Sequence, residues 1–417
     1  MLVKNQTQPR STAATTTLPD GWVSVADYGA MGDGVTLDDA AFAAAIATTK
    51  HVYIPSGTLA NRKQYLLSAT IVPNEGQLVY MEGYSMAHYA GIAPFVTEWN
   101  SRMNYIPTCL LFKGTTNFLF SMEKRHSRLE GIYVKQHDSF VPTAGGHFSL
   151  GSSTLRPYEI QITRCNSEGA WDAYYAFGNL QFSRLFQLTA TWYRHAAYTI
   201  NVPSPWGDTE WAQLRTEPGT YTGTIGLYIR QADTSRITDI SIKGGDYPLW
   251  IAADTGNVDQ LIILGMDIEN STNTVNPIRI GGGANNVRHV FINTLETYQG
   301  TTGNMILGAN TEGVTVNQAI LRGHRYVDYG IRNRLVNSEI HNLGTLTTGN
   351  AIDLRGIDSL VSATSTKDYA VGLNLAAGAN YAAISGNNFR NTTTPTVLDA
   401  AAKATGRGVG NIGIADW

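Results

Sequence analysis

The sequence predicts an all-β chain wound into a parallel β-solenoid, with one short helix capping its N-terminal end. Three observations predict it. Helical patterning is confined to one Ala-rich stretch, residues 38–49. Beyond that stretch the chain is mostly a series of short β-branched segments separated by Gly, Asn, Asp and Thr, such as YEIQITRC, RITDISIKG and QLIILGMDIEN. Aligned on the residue that closes each strand, these segments give Lys243, Glu269, Glu296 and Arg322, in steps of 26, 27 and 26 residues, with His341 another 19 on. A repeat of that length built of strands without helices reads as a stacked coil and not a propeller.

The 417 residues exceed an ordinary single domain, but a repeat architecture grows in one dimension and escapes that limit. Charged residues make up 15% of the chain and the net charge is −3, so the basic stripe of a nucleic-acid binder is missing and no acidic-membrane partner is expected. Cys109 and Cys165 are too few for a disulfide framework and have no metal-ligand spacing around them. They read as two reduced thiols in the core. No metal and no cofactor is expected. The N-terminus lacks the apolar stretch of a secretory signal, and no run of about 18 apolar residues occurs, so neither export nor a transmembrane helix is expected.

Element by element, residues 1–20 are Ser/Thr/Gln-rich and read as a flexible arm. Residues 21–104 form the N-terminal cap and the lead-in to the solenoid. Here VSVADYG is a strand, Gly32-Asp33-Gly34 a turn, and Asp38 or Asp39 is expected to cap the helix after it. Residues 105–390 are the solenoid proper, with an inserted loop at 203–224, and residues 391–417 a C-terminal cap. Each rung leaves its edges unpaired until a neighbour stacks about 4.8 Å away, which is why both ends need covering.

The segment VADYGAMGDGVTLDDAAFAAAI, with VYIPSGT and MEGYSM after it, closely resembles the opening of the pectate-lyase-superfamily proteins, which include phage tailspikes and polygalacturonases. Almost every position of that pattern is matched in residues 25–57; Met81-Glu82-Gly83 departs from the more usual Gly-acidic-Gly. The resemblance implies a right-handed single-stranded parallel β-helix acting on polysaccharide, and for a tailspike a homotrimer attached to a phage tail or baseplate. Beyond this segment the likeness is one of architecture, and fold does not fix the reaction. The Gly32-Asp33-Gly34 turn lacks the ligand spacing of a calcium loop.

Hydrolysis of a glycosidic bond needs two carboxyl groups in opposite protonation states, about 5–5.5 Å apart for retention and about 6.5–9.5 Å for inversion. In GMDIEN, an inward Ile268 turns Asp267 and Glu269 to solvent. The repeat then predicts Glu296 above Glu269, Lys243 below it and Arg322 beyond. Stacked carboxyls push one proton affinity up, while Lys243 keeps a partner ionised. A sign-alternating charge ladder is the structural alternative. In residues 203–224, Trp206 and Trp211 flank Asp208 and Glu210, a second carboxylate pair with aromatic faces suited to sugar rings. A packed loop or subunit contact is the alternative there. A third group joins Glu168, Trp171, Asp172, Tyr174 and Tyr175 to Trp192, Tyr193, Arg194 and His195. It reads either as a carbohydrate shelf or as aromatic packing between rungs.

Three functions remain. The first is a phage tailspike-like depolymerase that hydrolyses a bacterial surface polysaccharide (capsule, exopolysaccharide or O-antigen) within the chain, folded in the host cytoplasm and carried on the virion. The second is a cellular enzyme of the same fold: a polygalacturonase, whose hallmark carboxylate strands are missing, or a lyase using Lys243, Arg194 or Arg322 to neutralise a uronate. The third is a carbohydrate-binding adhesin without catalysis.

Overall fold

The structure, a computed structural model, describes residues 18–58, 60–82, 108–155, 157–178, 180–203, 209–269, 276–298, 303–342, 349–390, 392–399, 406–409 and 411. Its strands pair in parallel to form a solenoid of about 13 turns. Two long sheets run its length, one of 23 strands and one of 15. Parallel pairing begins at Trp22–Ser24 on His51–Ile54, well before residue 105.

Six successive eight-residue strands carry the centre of the larger sheet: Arg184–Thr191, Glu210–Glu217, Arg236–Lys243, Ile262–Glu269, Phe291–Tyr298 and Thr315–Arg322. In Ile262–Glu269 the buried residues are Ile263, Met266 and Ile268, so strict alternation skips one place. The skip falls at Gly265, whose φ is +72°. The same fourth position is left-handed in every one of the six, at Gln187, Gln213, Asp239, Gly265, Thr294 and Gln318. Each long strand is therefore two short ones meeting at a corner. The corner lets both halves turn apolar side chains inward, which an uninterrupted strand of period two cannot do. Nothing in the residue types marks this column, because Gln and Thr are not residues of choice for positive φ.

Inside, one column of buried residues runs in register from Leu129 through Leu185, Trp211, Ile237, Ile263 and Ile292 to Val316 and beyond. A second column stacks rings: Phe120 on Phe148 at 5.7 Å, Phe148 on Tyr174 at 4.8 Å and Tyr174 on Tyr198 at 5.4 Å, within 18° of parallel. Both cysteines are free and buried, and burial pushes each thiol up to about 12.

Two expectations need correction. Residues 203–224 are not an inserted loop, since Glu210–Glu217 pairs with strands on both sides and starts 26 residues from each neighbouring start, Arg184 and Arg236. Nor do Asp38 and Asp39 cap the helix Asp39–Ala47 through their side chains. The Asp38 carboxyl, buried, accepts from the backbone N–H of Met31, Gly32 and Leu66 instead. That of Asp39 accepts from Ser68 and Ala69. These carboxyls tie the helix to the Gly32-Asp33-Gly34 turn and the next rung, and burial holds Asp38 above the usual carboxylate range despite its three donors.

Candidate active site

The second halves of the central strands present two outward columns, two residues apart on each strand. Ser241, Asp267 and Glu296 form the first, and Lys243, Glu269 and Tyr298 the second. Ile268, between them, is buried. Glu296 therefore stacks on Asp267, not on Glu269 as the repeat predicted, and Tyr298 takes the place above Glu269. The reason is a longer rung: 29 residues separate Asp267 from Glu296, against 26 between Ser241 and Asp267. Lys243 does lie beside Glu269, with Nζ 3.4 Å from Oε2. Arg322 belongs to the second column, but its guanidinium reaches the Glu296 carboxylate and lies over the Tyr298 ring at 4.8 Å.

These contacts separate the carboxyls chemically. Glu296 and Glu269 each have a cation of their own. Asp267 has no hydrogen bond or ion pair among the described residues. Partial burial and the neighbouring Glu296 hold its carboxyl above the ordinary value, while Arg215 pulls the other way. Backbone spacing sets about 4.8 Å between Asp267 and Glu296 on adjacent strands and about 6.7 Å between Asp267 and Glu269 along one strand. The face thus offers a protonated carboxyl next to ionised ones, at separations that suit acid–base work on a glycosidic oxygen. Tyr298, Arg215 and Asp239 were missed in the sequence, because only register brings them to the face.

The other candidates scatter. Trp211 is fully buried and meets the edge of Tyr198 at 6.2 Å, so its ring is core and presents no face to a sugar. Glu210 opens its strand on the far side of the corner, 3.3 Å from Arg184. Asp208 and Trp206 lie outside the described residues. Trp171 belongs to the outer face of the smaller sheet, stacked on His195 at 5.4 Å, with His195 Nδ1 2.7 Å from Asp172 Oδ1 and the Tyr228 ring edge-on to His195. Tyr174 and Tyr193 are buried in the core. Trp192, Glu168 and Arg194 line a separate cavity of about 220 Å³ with Lys135, Gln136 and Tyr221. Among the described residues no group of three His, Cys, Asp or Glu side chains is arranged to hold a metal ion.

Known proteins share this architecture. Residues 22–139 match the family described as rhamnogalacturonase A/epimerase, pectate lyase-like. The chain is built on a pectate-lyase-like β-helix. Tailspike protein 3 of bacteriophage CBA120 superposes over 95% of this chain and 62% of its own, with a TM-score of 0.59 at 10% identity. The catalytic unit of an α-1,3-glucanase from Streptomyces thermodiastaticus gives 0.52 at 13% identity, over 96% of this chain and 70% of its own. An N-terminal fragment of gene product 12 from bacteriophage Phi29 gives 0.51 at 12%, over 95% and 73%. No curated protein sequence matches. At these identities the likeness is one of fold, and in this β-helix the chemistry has to be argued from the Asp267 face itself.

Proposed function

We propose that this chain is a polysaccharide depolymerase of the phage tailspike kind, hydrolysing glycosidic bonds within a bacterial surface polysaccharide. The observation that carries the proposal is the stacking of Asp267 on Glu296 with opposite surroundings: one carboxyl raised and unpaired, the other held by Arg322. Asp267 is the general acid that protonates the leaving oxygen, and Glu296, on the adjacent rung, the nucleophile. Glu269, steadied by Lys243, flanks them, and Tyr298 and Arg322 supply a ring face and donors for the sugar. The fold likeness to tailspike protein 3 supports the phage setting. So does the exposed apolar pair Ile262 and Phe291, adjacent in register on the outer face, which packing of three copies of the chain would cover. Trimer and tail attachment belong to the same proposal, and a three-chain mass in solution is its check.

The experiment is mass spectrometry and NMR of the products formed from a panel of capsule, exopolysaccharide and O-antigen preparations. Fragments carrying one added water, released with retained anomeric configuration, are expected. Inversion moves the second carboxyl to Glu269 acting through water. An unsaturated sugar at the new end replaces hydrolysis by elimination, and binding without cleavage leaves an adhesin.

A further inference from the structure

We propose that the cavity formed by Lys135, Gln136, Glu168, Trp192, Arg194 and Tyr221 binds a single pyranose residue through two of its hydroxyls and one ring face. The kind of ligand rests on the polysaccharide reading above; the cavity stands on its own residues. Its volume of about 220 Å³ is below the roughly 300 Å³ at which sites for drug-sized ligands begin, so it takes one ring and not a run of them.

Two buried polar atoms in its wall lack a protein partner. Gln136 is 6% exposed, and its Nε2 donates to the carbonyls of Gly114 and Phe140 at 3.0 and 2.9 Å, which fixes the amide and leaves Oε1 unsatisfied. Arg194 lays its guanidinium over the Tyr221 ring at 4.2 Å, and its buried Nε has no acceptor. A buried acceptor and a buried donor left open are unusual in a native interior. A sugar hydroxyl both gives and takes a hydrogen bond, so two hydroxyls on one ring complement this pair. Trp192 and Tyr221 supply the aromatic wall. Glu168 accepts from the Tyr133 hydroxyl, and burial raises its carboxyl, which makes it a third donor facing the ligand. Lys135 is neutralised by Asp138, 3.1 Å away, so the cavity selects for hydroxyls more than for charge.

The position fits a ligand shared with the Asp267 face. Glu168 is in register with Thr191, Thr191 with Glu217, and Lys243 with Glu269, while Thr216 beside Ile242 aligns the middle pair. The cavity is thus four rungs from Glu269 along one outward column, about 19 Å at about 4.8 Å per rung. A polymer lying on the column reaches both.

The test is saturation-transfer NMR on the full chain with four probes: the methyl glycosides of glucose, galactose, mannose and N-acetylglucosamine. At least one is expected to bind saturably. Arg194→Met and Trp192→Leu should each weaken it by about tenfold or more, a change of about 1.4 kcal/mol. Trp192→Phe keeps a ring and should retain most of the binding, while melting curves establish that each variant is folded. Asp267→Asn should bind the probe as the parent does. Absence of saturable binding by all four probes overturns the site, as does binding that both Arg194→Met and Trp192→Leu leave unchanged. Cavity and catalytic face fail separately. Loss of cleavage in Asp267→Asn with no probe binding removes the cavity alone, whereas probe binding with cleavage intact in Asp267→Asn removes the catalytic assignment alone.

Discussion

At the scale of single residues, Asp267 is the side chain on which the proposed chemistry turns. Asp267→Asn should lower the rate of polysaccharide cleavage by about 10²- to 10⁴-fold, the ordinary contribution of a general acid, with the melting temperature nearly unchanged because the side chain is exposed. Its raised carboxyl also sets a pH limit. Activity falls as pH climbs through that raised value, because the acid form is the working one. Arg215 holds the value down, so Arg215→Met should move this alkaline limb to higher pH in a pH–rate profile; an unmoved or lowered limb would remove Asp267 from the acid role. The outward direction of Asp267 and Glu269 was legible in the alternation around Ile268. The neighbour of Asp267 was not, because a sequence does not say where a rung takes in extra residues, and three additional ones between Asp267 and Glu296 shift the columns by two places.

At the scale of elements, the strands were legible and their corners were not. RITDISIKG and QLIILGMDIEN announce strands by β-branching, yet each bends at a left-handed residue that its type does not betray, Asp239 in one and Gly265 in the other. Trp211 shows the cost of that. Read without the corner, EWAQLRTE resembles a polar loop with an aromatic lure; with it, Trp211 falls into the interior column between Leu185 and Ile237. The corners also make a prediction. Thr294 holds φ of +59° with a β-branched side chain, a conformation that Asn tolerates better. Thr294→Asn should stabilise the fold by roughly 0.5–1 kcal/mol, read from denaturant unfolding or, if refolding fails, from a slower unfolding rate. Destabilisation instead would mean that the Thr294 hydroxyl, 3.1 Å from Asn293 Nδ2, matters more than the backbone.

At the scale of the whole molecule, the solenoid buries carboxyls that an ordinary surface would leave in water. Glu168 is 5% exposed and Asp328 fully buried, and burial raises both. A carboxyl raised in the folded state favours folding when protonated. Its stabilisation is full below the unfolded carboxylate value and is lost as pH rises through the higher folded value. The protein should therefore melt higher at mildly acidic pH than at neutrality. In Glu168→Gln, which keeps an acceptor for Tyr133 but does not titrate, that pH dependence should be smaller. An identical slope in parent and variant would show that Glu168 does not contribute to it.

The two buried thiols give the molecule a built-in clock. Each is shut away from reagent and, with a proton affinity near 12, is hardly ever a thiolate at neutral pH, so alkylation has to wait for its rung to open. Cys109 belongs to Thr108–Phe112; Cys165 sits immediately before Asn166–Glu168, two strand pairings further along the same sheet. Equal labelling rates would mean that the coil opens as a unit. Faster labelling of Cys109 would mean that it unwinds from the N-terminal side, and the ratio of the two rates would time the peeling of the turns between them.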